Sequence, residues 1–250
     1  MYALAVIPAI ILLIIVWKYD TVEKEPPALI AKLFFGGALT VISAVVTGRL
    51  GDSLLGLFYK GEMPLFFVFI DSLIFTAFAQ EAGKYLVLRA VTWKNREFNY
   101  TFDAVVYAVA VSLGFSVTEN IVYIIRSGAA ASPGRIFLTV PGHVLFAVFM
   151  GFFYGLARYA KGVGDEKAER KHTAEALLVP AAMNGFYAFC FRADKPVFFV
   201  LLVIYEVIIT VITVKKFFRL SKEDMFIPGM EWTVSEDKGI WEDGRNEGKM

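Results

Sequence analysis

Residues 64–88 read PLFFVFIDSLIFTAFAQEAGKYLVL, an apolar run that carries Gln80, Glu81 and Lys84 inside it. A spanning helix needs about 20 mostly apolar residues, so the stretch is a membrane span by length. A charge at the bilayer centre costs at least about 2.5–3.5 kcal/mol, which makes such residues functional by default. The next apolar run, 104–125, carries Glu119 and Asn120, and the one after it carries His143. Acids, an amide and an imidazole on successive spans suggest a reaction site built at membrane depth.

The rest of the chain has the same character. Its 250 residues are 57% hydrophobic and 16% aromatic, with a mean hydropathy of +0.59. A soluble domain of that length has too little core to hide so many apolar runs. The expected fold is an all-α polytopic transmembrane helix bundle of about seven spans, near 2–17, 33–50, 64–88, 104–125, 136–158, 175–192 and 197–214. A net charge of +1 gives no field for nucleic acid. The single cysteine, Cys190, excludes a disulfide within the chain and reads as a small packing residue. No basic residue precedes the apolar stretch 3–17 and no small-x-small cleavage site follows it, which predicts a retained first helix.

Loop charge sets an orientation. Lys18, Lys24, Lys32, Arg89, Lys94, Arg96, Arg158, Lys161, Lys167, Arg170 and Lys171 fall on one side, against Arg49, Lys60, Arg126, Arg135, Arg192 and Lys195 on the other. The positive-inside rule then puts the N-terminus out and the C-terminus in. Residues 51–63 are expected to lie along the outer interface as an amphipathic piece. From Ser221 onward the chain turns polar, which divides it into a transmembrane domain, 1–220, and a partly disordered cytosolic tail, 221–250.

Glu81 and Lys84 stand three residues apart and share a helix face. Two readings are open: a pair that neutralises itself while Lys84 snorkels to the cytosolic edge, or a lysine that keeps Glu81 ionised as a base or ligand. In the fourth span Ser112, Ser116, Glu119 and Tyr123 form one polar stripe. That span holds no lysine or arginine, so Glu119 needs a partner from another helix, a proton or a metal. Asp103, at its mouth, reads as an N-cap. A lone histidine in a span is usually structural, but His143 together with Glu81 and Glu119 makes a donor set suited to a divalent metal, zinc foremost. Gly151 and Gly155 form a small-xxx-small pair for close helix packing. His172, in a cytosolic loop, has no assigned role, and Glu206 is isolated. With the third span at 64–88, Glu81 and Glu119 differ in depth by about 14 Å. That gap predicts a third helix that tilts or, the favoured reading, one that begins nearer Asp71, with the site moved toward the outer leaflet.

Taken in order, Gln80-Glu81-x-x-Lys84, Phe115-x-x-x-Glu119-Asn120, Pro141-x-His143 with Gly151, and Pro180-x-x-x-Asn184-Gly185-x-Tyr187 resemble the PrsW family. The segment Phe102-Asp103-Ala104-Val105-Val106-Tyr107 is similar to that family's link into the fourth span. The likeness covers roughly 70–190. It implies a multi-pass protease of the bacterial or archaeal cell membrane, distantly similar to type II CAAX prenyl endopeptidases. It implies a membrane-anchored protein substrate, such as a single-span anti-sigma factor cut at a first site in a signalling cascade. Gln80, Glu81, Lys84, Glu119, His143 and Asn184 are the implied catalytic positions, with Glu81, Glu119 and His143 as metal ligands. Position 80 would be the general base that activates water. The family pattern has Glu at position 80, His at 184 and Asp at 188, where this chain has Gln80, Asn184 and Ala188. The first two changes remove an ionisable group and keep its shape, the signature of an inactivated copy. A non-catalytic membrane adaptor and a proton- or ion-coupled transporter are the rival readings.

Overall fold

The computed structural model describes residues 1–128 and 131–229; residues 230–250 of the expected tail lie outside the described residues. Among the described residues, nine α-helices follow in chain order: α1 (Tyr2–Tyr19), α2 (Pro27–Leu39), α3 (Val41–Leu55), α4 (Leu65–Ile70), α5 (Ala79–Thr92), α6 (Asp103–Ser127), α7 (Pro133–Gly162), α8 (Glu166–Arg192) and α9 (Pro196–Lys222). A π-helical segment, Asp71–Phe78, joins α4 to α5. Because α2 runs into α3 and α4 into α5, seven helical units among these residues are long and apolar enough to cross a membrane. The protein is a multi-pass membrane protein, as composition requires.

Several boundaries differ from expectation. The second unit runs from Pro27 to Leu55, so Gly51 to Leu55 continues a span and does not form a separate interfacial piece. Its early start follows from Pro27 in the first turn, where a missing N–H costs nothing. The third unit begins at Leu65, not near Asp71, and ends at Thr92, past the expected limit of 88. The sixth begins at Glu166, capped by the Asp165 carboxylate, which accepts from the Ala168 N–H at 2.9 Å. His172 therefore sits within α8, where it pairs with Glu175 at 2.7 Å.

α6 and α7 form the centre: 67% and 61% of their most apolar windows are buried, against 17% for α1 and 11% for α9. Helices meet closely where glycine allows it. A Cβ on Gly114 would lie 1.8 Å from the Phe34 carbonyl oxygen, and one on Gly37 would lie 1.9 Å from that of Val111. On α7, a Cβ on Gly151 would lie 2.5 Å from Val105 Cα, and one on Gly155 would lie 2.5 Å from the Thr101 carbonyl oxygen. The small-residue pair thus sets the contact of α7 with α6 and the loop before it. Gly114→Ala should destabilise the protein by about 3 kcal/mol, since backbone on both sides must move apart. Gly48, with nothing within 4 Å of its missing Cβ, should tolerate Ala unchanged or slightly stabilised. Thermal unfolding in micelles compares the two.

The end of α9 is docked. The Phe102 N–H donates to Asp224 at 2.8 Å, the Ile227 N–H donates to the Asn99 carbonyl at 2.7 Å, and Tyr100 bridges to Phe226. The polar tail thus begins as packed chain through Ile227. Asp103 does not cap its own helix; its carboxylate accepts from the N–H groups of Asn99 and Tyr100, at 3.1 and 2.7 Å, and pins the loop ahead of α6.

Candidate active site

The site begins with the π-helical segment. Its wider i→i+5 turn changes the phase of the helix, so the residues that follow present a face a straight α-helix would turn elsewhere. Gln80, Glu81 and Lys84, just beyond it, are all buried. α8 lies against the segment because Gly185 has no side chain: a Cβ there would meet Leu73 at 2.6 Å. Arg192, at the end of α8, donates to the Asp71 carboxylate and to Thr76 Oγ1, tying the two elements a second time. These contacts set Asn184 beside Gln80.

One hydrogen-bonded chain then joins four elements. Lys84 Nζ donates to Glu81 Oε1 at 2.5 Å and meets His143 Nδ1 at 3.3 Å. An ammonium can only donate, so Nδ1 accepts. The neutral ring's proton is therefore on Nε2, which donates to Glu119 Oε2 at 3.0 Å. Gln80 Nε2 donates to Glu119 Oε1 at 3.3 Å. Asn184 Nδ2 donates to both Gln80 Oε1, at 3.0 Å, and Glu81 Oε1, at 2.8 Å. The Phe115 ring covers the cluster, 5.0 Å from Lys84 Nζ and edge-on to His143. All six residues singled out from the sequence meet here.

Lys84 does not snorkel. It and Glu81 are wholly buried, because the ammonium finds its partners inside the bundle. The depth gap closes without moving the start of the third helix. Ending at Thr92 brings Glu81 to roughly 10 Å from the level of Glu119 for upright axes, and side chains of this length span much of that.

Exposure separates the groups. Glu119 keeps 23% of its side chain exposed, His143 6%, Glu81 and Lys84 none. Glu119 is the acid that can meet a substrate or water. It lines a cavity of about 110 Å³ with Gln80, His143, Asn184, Arg135, Thr139 and Tyr187. Thr139 drew no attention in the sequence, and Tyr187 entered only as part of the family pattern, with no role assigned. Arg135 stood out only as a loop charge, yet it begins α7, stacks 3.8 Å over the Tyr123 ring and leaves Nη1 buried without a hydrogen-bond partner. Ala188, where the family pattern has Asp, also lines the cavity. Ser112 and Ser116 lie on the α6 stripe but are buried with unpartnered hydroxyls, away from this chain of bonds.

A titratable cluster enclosed by a multi-pass bundle, with one acid open to a cavity, is the candidate active site of a multi-pass membrane protein. The chain belongs to the family described as PrsW family intramembrane metalloprotease, whose model matches residues 25–214. It is 31% identical to Protease PrsW of Bacillus subtilis (strain 168) over 186 residues, covering 74% of this chain and 80% of that protein. It is 27% identical to Protease PrsW of Clostridioides difficile (strain 630) over 235 residues, covering 90% and 94%. Protease PrsW of Oceanobacillus iheyensis is 30% identical over 185 residues, covering 74% and 80%. No solved structure matches the chain.

The family description implies a metal, and the donors can be tested for it. A catalytic zinc takes three protein ligands, each ligating histidine handing its other N–H to an acceptor. Here His143 Nδ1 faces an ammonium, which accepts nothing. Glu81 Oε1 already takes two N–H donors, and Oε2, though buried and free, belongs to a carboxylate neutralised by Lys84. Among the described residues the trio of donor atoms gathered within 4.8 Å is Asp20, Glu25 and Asp103, not Glu81, Glu119 and His143. In this arrangement the pocket does not fit the ion.

Proposed function

We propose that the chain is an intramembrane endopeptidase-type protein of the cell membrane, N-terminus out and C-terminus in. It receives a membrane-anchored polypeptide, such as a single-span anti-sigma factor, between the π-helical segment, α7 and α8. Gln80 and Asn184 hold the site in a neutral form that cuts poorly. Family membership supports the reading. The observation that carries it is Glu119: a partly exposed carboxylate held by His143 and Gln80 at the wall of a cavity inside the bundle.

Each group then has a task. Glu119 holds a water by its remaining lone pairs and takes the water's proton as the oxygen attacks the peptide carbonyl. The Nε2–H of His143 fixes the carboxylate's direction. Arg135, cationic and with a free buried N–H, stabilises the oxyanion that develops. Gln80 is the weak point, since an amide cannot accept a proton at neutral pH. Its oxygen and nitrogen are both bonded, to Asn184 and Glu119, so the neutral pair is self-consistent. That closed pair favours a second reading, an adaptor that holds a transmembrane segment without cutting it.

Photo-crosslinking tests the pocket itself. A photoreactive residue at Phe191, on the cavity wall, should capture a single-span peptide in liposomes, and a bulky Thr139→Trp should abolish capture. Capture elsewhere on the bundle, or none alongside Glu119-dependent proton flux, would overturn the reading in favour of a transporter.

A further inference from the structure

At the opposite end of α6 from Glu119 lies a second cluster that the hydrolytic reading does not use. Asp20 follows α1, Glu25 precedes α2 and Asp103 opens α6; one carboxylate oxygen from each lies within 4.8 Å of the others. They are 1%, 3% and 1% exposed. Two are partly satisfied: Glu25 Oε2 accepts from the Tyr107 hydroxyl at 2.5 Å, and Asp103 Oδ2 accepts from two backbone N–H groups. Asp20 is different. Both of its oxygens are buried without a hydrogen-bond partner, and one of them lies in the cluster.

Among the described residues no side-chain cation pairs with any of the three carboxylates, although the Lys24 charge acts on Asp20 through space. Lys24, on the same link, directs its ammonium to the backbone carbonyls of Trp17, Lys18 and Asp20. A buried carboxylate without partner costs several kcal/mol, and three close together add repulsion. Burial, the largest influence on each, pushes Asp20 up to about 6 and Glu25 up to about 8.

We propose that Asp20, Glu25 and Asp103 bind a hard divalent cation of the Mg²⁺/Ca²⁺ class, a structural site separate from the hydrolytic pocket. The donors are all carboxylate oxygens, which suits such ions and disfavours softer metals. Oxygens on opposite sides of a Ca²⁺ stand about 4.6–5.2 Å apart and around Mg²⁺ about 4.0–4.2 Å, so the observed spacing admits either with water completing the shell. Asp103 and Glu119 are sixteen residues apart on one helix, about 24 Å along its axis. The ion thus cannot take part in the peptide chemistry. It braces the α1–α2 link against the start of α6, and through Asp103 it holds the loop at Asn99 and Tyr100 that receives Ile227 of the segment after α9.

The test uses the full chain in micelles, stripped with chelator and exchanged into metal-free buffer. Mn²⁺ serves as the spectroscopic probe. Electron paramagnetic resonance should show one tightly bound Mn²⁺ per chain, displaced by Mg²⁺ or Ca²⁺, whose titrations rank the two. Either ion should raise the unfolding temperature saturably. Asp20→Asn should weaken binding at least tenfold and abolish that rise, while Glu119→Gln keeps both. In chelator Asp20→Asn should be as stable as the parent or more so, because a buried repulsion is relieved. Should Asp20→Asn fail to fold, Glu25→Gln replaces it. No stoichiometric Mn²⁺ on the parent at millimolar concentration would overturn the site. So would binding that survives Asp20→Asn and Glu25→Gln but is lost in Glu119→Gln, which would move the ion to the pocket.

Discussion

Gln80→Glu combined with Asn184→His should raise cleavage of a membrane-tethered peptide by about 10²–10⁴-fold over the chain as it stands, the usual contribution of a positioned acid–base group. The reason is local. Gln80 Nε2 lies 3.3 Å from Glu119 Oε1, so a carboxylate at position 80 stands beside a second carboxylate at hydrogen-bond distance. Two such groups at that spacing share a proton, so one can act as acid and the other as base. Asn184 Nδ2 now donates to both Gln80 and Glu81, and an imidazole there keeps a donor while adding a group that can carry a proton. Gln80→Glu alone should recover part of the gain and Asn184→His alone almost none, because the imidazole has no base to serve. Single-turnover cleavage in liposomes with all four variants measures this. Equal rates across the set would remove position 80 from the chemistry and leave the adaptor reading.

Lys84→Met should cost about 3–5 kcal/mol of stability, the largest loss expected from any one side chain here. The methionine fills much the same volume, so packing is nearly conserved and the loss is electrostatic. Without the ammonium, Glu81 is a wholly buried carboxylate whose Oε1 keeps only the Asn184 donor and whose Oε2 has none. His143 loses the donor on Nδ1, freeing the ring to change tautomer and to stop directing Glu119. Adding Glu81→Gln should recover most of the stability, since the double variant leaves no unpaired charge. Activity in a Gln80→Glu background should not return, because the orientation of His143 is still lost. Denaturant unfolding in micelles gives both numbers. A loss below about 1 kcal/mol for Lys84→Met would show that water reaches Glu81 and that the pair is not sealed.

The family, the seven crossings and five of the six polar positions were legible in the chain because each rests on local information, whereas Asn184 entered only through the family resemblance. Apolar run length decides which segments cross hydrocarbon. A charge inside such a run is costly wherever its partner lies, so Glu81, Lys84, Glu119 and His143 stood out before any contact was known. Arg135 and Thr139 did not, since each sits where a loop end or an ordinary span residue would, and Tyr187 entered only as part of the family pattern. Asp20, Glu25 and Asp103 were likewise invisible as a group: two lie in a linker, where acids are common, and the third looked like a helix cap.

What the amino-acid order determined by itself was the solvent of each segment, hydrocarbon or water, a property summed over neighbours along the chain. What only the tertiary structure decided was phase and partnership: the π-helical turn that aims Gln80 and Glu81, the Lys84 ammonium between Glu81 and His143, and the gathering of three acids at the far end of α6. Those outcomes join residues 39, 59 and 104 positions apart. They depend on how closely glycine-lined helices approach, and no one-dimensional pattern encodes that distance.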